Sequence, residues 1–305
     1  MRPIAEAYKD FPILHKEHNG HRVIYLDSGA TAQIPQSVID RVVEHMTQRN
    51  GNPHRGSHIL AIEASEDYEN ARDRVVEFIN AREREEVVFT RNSTESMNLI
   101  AHSYGLHNVK KGNKIVITVA EHHANLVTWQ YVAEQTGATL EYMYLDEHGH
   151  LKDGEINKID ENTKIVAFAH VSNVLGMEFP VKELTEKAHS VGAVVVLDGA
   201  QSTPHKKIDV QELDCDFFVF SGHKMCASQG IGVLYGKREL LEVMPPFLLG
   251  GDMIEYVKEQ TATFNELPYK FEAGTPNADG AVSLHAAIDY LESFGMDAIE
   301  AYEEE

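Results

Sequence analysis

Short unbroken apolar runs alternate along this chain with longer stretches of helical period. Runs at residues 87–90, 114–119, 140–145, 165–170, 194–197, 217–220 and 231–235 are rich in β-branched or aromatic residues. Such runs, bounded by turn residues, predict strands buried on both faces. Between them, residues 94–103, 124–135 and 181–190 space their apolar positions as helices do. Upstream, residues 23–27 predict a short strand, and Pro35 opens a helix that ends near Arg49. Residues 50–58 form a polar loop, 64–80 an amphipathic helix, and 1–20 a polar arm or short helix. This alternation predicts an α/β fold, a three-layer α/β/α sandwich around a mostly parallel central sheet. No strand-to-helix turn carries a glycine-rich dinucleotide fingerprint or a GxxxxGK[ST] loop, which excludes nicotinamide and P-loop chemistry.

Composition narrows the class. A chain of 305 residues holds one large domain plus accessory pieces. Hydrophobic content of 43% and charged content of 25% fit a soluble globular protein. The formal net charge of −21 argues against a nucleic-acid backbone or an anionic membrane as main partner. Part of that charge sits in residues 300–305, expected to be a solvated end. No stretch is apolar enough to span a bilayer, and the first residues lack a signal-peptide core. Cys215 and Cys226 make no disulfide framework, so the expected location is the reducing cytoplasm.

Two of the predicted strands end in reactive groups. Residues 217–220 deliver Ser221-Gly222-His223-Lys224, and residues 194–197 deliver Asp198-Gly199-Ala200-Gln201. Open α/β sheets bind ligands at the carboxyl ends of their strands. A lysine carried there is desolvated and nucleophilic. Asp198, after an aliphatic run, needs a partner or a proton. A helix N-cap explains it equally well in isolation; with Lys224 one strand later, a pyridinium partner explains it better. A lysine for a Schiff base and an acid for the ring nitrogen are the two groups that pyridoxal phosphate requires. Gln201 is placed to donate to the cofactor's phenolic oxygen. Thr90-Arg91-Asn92-Ser93-Thr94-Glu95 joins a strand to a helix and suits a phosphate, although an ordinary Ser/Thr cap accounts for it too. Ser221 and His223 complete that shell. In Glu121-His122-His123-Ala124-Asn125 the adjacent histidines splay apart, and no further ligand has zinc spacing. No metal is therefore expected, and a flat imidazole packing on a flat cofactor fits better. Ser172-Asn173 offers groups for a substrate carboxylate.

Taken in order, the motifs Tyr25-Leu-Asp-Ser-Gly-Ala, Arg55-Gly-Ser-His-Ile-Leu60, Glu121-His-His-Ala-Asn125, His170-Val-Ser-Asn-Val-Leu-Gly176, Asp198-Gly-Ala-Gln201, Ser221-Gly-His-Lys224 and Phe271-Glu-Ala-Gly-Thr-Pro-Asn277 resemble cysteine desulfurases of the SufS type. These are class V aminotransferase relatives with the fold-type I pyridoxal phosphate architecture. The resemblance implies that Lys224 holds the cofactor and later moves protons. It implies that Asp198 pairs with the pyridine nitrogen, His122 stacks on the ring and Gln201 contacts the phenolic oxygen. Ser93, Thr94, Ser221 and His223 hold the phosphate, Asn173 lies near the substrate, and Thr275 reaches the phosphate of a neighbouring subunit in a homodimer. Family members remove sulfur from L-cysteine, leaving alanine and a persulfide destined for iron–sulfur cluster assembly through an acceptor protein. Selenocysteine lyase or aminotransferase chemistry, or a non-catalytic remnant that binds cofactor, are the alternatives.

The implied organisation is an arm over 1–20, a cofactor-binding large domain over 21–280 and the start of a truncated C-terminal small domain over 281–305. The family's sulfur-accepting cysteine and its substrate-clamping arginine belong to that small domain and have no counterpart here. The sequence also departs after the lysine, reading Cys226-Ala-Ser-Gln-Gly230 where the family has Tyr-Gly-Pro-Thr-Gly, and at Asn92 and Ser96, where glycines are common. Cys226 is expected to be a small loop residue rather than a sulfur acceptor. Cys215, between Asp214 and Asp216, is expected to have a raised pKa.

Overall fold

The structure, a computed structural model, describes residues 3–305. Two 3-10 turns, Ile4–Asp10 and Pro12–His15, precede a small hairpin of β1 (Glu17–His18) and β2 (His21–Arg22). The central sheet contains β3 (Val87–Thr90), β4 (Lys114–Thr118), β5 (Thr139–Met143), β6 (Thr163–Ala169), β7 (Val194–Asp198), β8 (Phe217–Ser221) and β9 (Gly232–Gly236). A peripheral hairpin adds β10 (Ile254–Val257) and β11 (Ala262–Phe264).

The order across the sheet is β3-β9-β8-β7-β6-β4-β5. Strands β5, β4, β6, β7 and β8 run parallel, while β9 is antiparallel to both β8 and β3. The mostly parallel three-layer sandwich expected from the alternation is present. Its strands have helices on both faces, which is why they read as continuous apolar runs. Alternate residues enter opposite cores. Val195, Leu197, Phe218 and Phe220 pack on one side, and Val196, Phe217 and Val219 on the other.

Helix α1 (Gln36–Gln48) starts after Pro35. Helix α2 (Ile59–Phe78) begins before residue 64, because His58 Nδ1 caps it by accepting the Ala61 N–H at 3.3 Å. Helix α3 (Ser93–Ile100) runs on through a π-turn, Ala101–Gly105. The helix Ala278–Glu292 packs against α1 and α2, burying Leu284, Ala287 and Ile288, and the division expected at residue 280 falls inside it.

One expected strand is absent. Residues 23–27 join no ladder, and Ile24 and Leu26 are 82% and 91% exposed. The strand pattern is present, yet the bond from the Val23 N–H to the Lys16 carbonyl at 3.0 Å does not extend into a ladder.

A buried ion pair ties the sheet to the helical layer. Arg72 on α2, wholly buried, donates from its two terminal nitrogens to Glu272 at 2.7 and 2.8 Å and to the Val87 carbonyl at 2.8 Å. Glu272 also accepts the Phe89 N–H at 2.7 Å and the Tyr68 hydroxyl at 2.8 Å.

Candidate active site

The register of the sheet gathers the polar strand ends. Ala169 stands opposite Asp198, Asp198 opposite Val219, and Gly232 opposite both Ser221 and Thr90. A cavity of about 550 Å³ opens at this edge. Asp198, Ser221, His223 and Lys224 line it from β7 and β8, His122 from the segment after β4, and Ser93 and Thr94 from the start of α3. Asn173 and Gln201 line it too. The candidate cofactor residues other than Thr275 therefore converge on one cavity, while Ser172 lines a neighbouring one.

Asp198 is only 6% exposed. Its Oδ1 accepts the Ala200 N–H at 3.0 Å, and among the described residues its side chain has no other hydrogen bond or ion pair. Residues 200–205 are turns, so Asp198 caps no helix. Burial pushes its pKa up, while the Lys224 charge pulls it back. Lys224, half-buried, has no hydrogen bond or ion pair among the described residues. Burial lowers its pKa against the attraction of Asp198. A buried carboxylate with no hydrogen-bonded cation thus faces the same cavity as an amine whose pKa burial lowers.

His122 Nδ1 accepts the Ala124 N–H at 3.1 Å, which leaves the ring proton on Nε2 and fixes the ring's orientation. Burial lowers its pKa; the Asp198 charge works against this and the Lys224 charge with it. The ring is a neutral plate at neutral pH.

At the β3–α3 turn, Asn92 Oδ1 accepts the Glu95 N–H at 2.9 Å. Ser221 Oγ accepts the Ser93 N–H at 2.8 Å and bonds Ser93 Oγ at 2.9 Å. Two hydroxyls and the positive end of a helix meet at this point, a setting that suits a phosphate. Gly232 makes the approach feasible, since a Cβ there would lie 2.5 Å from Asn92 Cα.

The early chain closes part of the cavity, a feature missed in the sequence. Asp27, Gly29 and Ala30 line it. The Ala32 N–H donates to the His223 carbonyl at 2.8 Å, and Thr31 Oγ1 lies 3.1 Å from both that carbonyl and His223 Nδ1. Gln201 Nε2 donates to the Gly29 carbonyl at 2.9 Å, so one of its two amide hydrogens serves this segment.

Thr275 is exposed and lines a different cavity, with Phe89, Arg91 and Phe271. Neither thiol lines the site cavity. Burial pushes Cys226 up to about 12, and pushes Cys215 up further with help from Asp216. The raised pKa expected for Cys215 is found, with burial ahead of the neighbouring acids as its cause.

The residues fit pyridoxal phosphate. Asp198 lacks the hydrogen-bonded cation that a protonated ring nitrogen provides, Lys224 is an amine with no hydrogen bond among the described residues, His122 is a flat neutral ring, and the α3 turn suits an anion.

The comparisons with known proteins agree. Residues 24–305 match the model of the family described as aminotransferase class-V. A probable cysteine desulfurase of Halalkalibacterium halodurans is 52% identical over 301 residues, covering 98% of this chain and 74% of that protein. The apo structure of cysteine desulfurase from Thermococcus onnurineus superposes with a TM-score of 0.93 at 41% identity, over 99% of this chain and 74% of that one. The S-sulfonic acid form of a cysteine desulfurase from Escherichia coli gives 0.89 at 39% identity, over 98% and 74%. With its sheet, its strand-end site and these relatives in accord, the chain belongs to the class-V aminotransferase family, among the cysteine desulfurases.

Proposed function

We propose that this chain binds pyridoxal phosphate at the strand-end cavity and removes sulfur from L-cysteine, leaving alanine and a persulfide. The observation that carries this is the pairing of Asp198, buried without a cation, with Lys224, an amine without a partner, in one cavity. Bound pyridoxal phosphate supplies a ring that accepts electrons from the substrate's α-carbon. Asp198 holds the ring nitrogen protonated. His122 lies against the ring. Ser93, Thr94, Ser221 and His223 hold the phosphate, with Thr31 fixing the His223 imidazole. Lys224 Nζ anchors the cofactor and carries the α-proton, a task its lowered pKa suits. Gln201, held by Gly29, orients the phenolic side, and Asn173, which lines the cavity, contacts the substrate.

The sulfur leaves to a thiol other than Cys215 or Cys226, both buried and held protonated. From that thiol the sulfur passes to an acceptor protein in iron–sulfur cluster assembly, in the cytoplasm. Thr275, exposed and outside its own chain's cavity, is available to the phosphate of a second copy, which supports a homodimer.

The test is an absorption spectrum with added pyridoxal phosphate, followed by alanine release from L-cysteine with a thiol acceptor present. A visible band and alanine release, both lost in Lys224→Ala, are expected. Equal alanine release by wild type and Lys224→Ala refutes the assignment.

A further inference from the structure

Glu121, one residue before His122, is a buried carboxyl group with no part in the roles above. It is 8% exposed, and among the described residues no cation pairs with it. One of its oxygens lies 2.5 Å from Thr118 Oγ1, and the other accepts from Asn125 Nδ2 at 2.6 Å. Asn125 Oδ1 accepts in turn from Trp129 Nε1 at 2.8 Å. Thr118, Asn125 and Trp129 are fully buried. These residues belong to the end of β4, to the 3-10 turn His123–Asn125 that His122 caps, and to the helix Val127–Thr136. Glu121 therefore joins the strand before His122 to the turn after it.

Burial pushes the Glu121 acid up to about 8, and the charge of Asp198 adds to the rise. Thr118 Oγ1 donates to one of its oxygens and Asn125 Nδ2 to the other, so both buried partners are satisfied.

We propose that Glu121 is a positioning residue, a strut between Thr118 and Asn125 that sets the turn from which His122 presents its ring to the cofactor. This role depends on His122 acting as described under the proposed function.

A double-mutant cycle on the full chain tests it, read as the Kd for pyridoxal phosphate from the visible band. Glu121→Ala is expected to weaken binding about tenfold, as loss of a buried hydrogen-bonded link does. In a His122→Ala background the same change is expected to add less than about twofold, because the ring it positions is gone. Glu121→Gln is expected to restore wild-type binding, since its amide donates to Thr118 and its carbonyl accepts from Asn125. Additive losses in the cycle overturn the proposal, and so does a tenfold loss in Glu121→Gln. If Glu121→Ala does not fold, Thr118→Val takes its place in the cycle, removing the partner hydroxyl at nearly constant volume. A wild type without any cofactor band refutes the His122 role itself, whereas normal wild-type binding with additive losses refutes the Glu121 strut alone.

Discussion

Gly232→Ala isolates the phosphate side of the site. An added Cβ would sit 2.5 Å from Asn92 Cα, 2.7 Å from its carbonyl carbon and 2.8 Å from its nitrogen. Carbon atoms in contact prefer about 3.5–4.0 Å, so one backbone must retreat by roughly 1 Å. Both are backbone atoms, in β9 and in the β3–α3 turn, with no flexible side chain to yield. A retreat of about 1 Å stretches the 2.8 Å bond from the Ser93 N–H to Ser221 Oγ beyond hydrogen-bond range. Overpacking of this kind costs about 1–3 kcal/mol, equivalent to roughly a five- to hundredfold weaker hold on the phosphate. The assay titrates wild type and Gly232→Ala with pyridoxal phosphate and, separately, with pyridoxal. Gly250→Ala serves as control, because its Cβ would meet nothing nearer than 3.8 Å. The expected loss is confined to the phosphorylated ligand. Equal losses for both ligands, or unchanged binding of pyridoxal phosphate, would refute the placement of the phosphate at this turn.

Asp198→Asn is expected to move stability and binding in opposite directions. An acid whose folded pKa lies above its unfolded value of about 3.9 destabilises the fold once the pH passes that value, so the neutral amide should raise the cofactor-free melting temperature at pH 7. Cofactor affinity should fall in the same variant; a lower melting temperature contradicts the buried-charge account. Arg72→Met removes the cation between Glu272 and Glu69 and leaves buried carboxylate unpaired, for an expected loss of about 3–5 kcal/mol in urea unfolding. A loss below about 1 kcal/mol would mean that the pair contributes nothing beyond packing. Cys226→Ser should leave alanine release unchanged, and a sharp fall would return Cys226 to the list of sulfur acceptors.

The strands that build the site were legible because burial on both faces leaves long apolar runs, and each run stops where a polar group must reach a ligand. Asp198, Lys224 and the turn through Ser93 and Thr94 stood out for that reason. The direction of β9 was not legible, since a buried strand has the same composition whether it runs parallel or antiparallel. Residues 23–27 misled for a related reason: alternation records a strand's propensity but not whether a neighbour exists. Asp27, Gly29 and Ala30 stood in a recognisable motif, but their place at the cavity was not legible, because the contacts of this segment to Gln201 and His223 bridge most of the chain and no local pattern encodes them. Gly232 and Glu121 act through close approach and buried hydrogen bonds, which only the assembled backbone reveals.

The contact between Thr31 and His223 spans 192 positions of sequence. During synthesis at about 5–20 residues per second, the early segment waits roughly 10–40 s before its partner turn is made. β3 likewise waits for β9, whose pairing places Thr90 beside Gly232. The phosphate turn and the cover over it thus remain unassembled until β8 and β9 are made. A nascent chain has no finished pocket to offer before Gly236 has emerged, so cofactor capture follows the synthesis of these two strands.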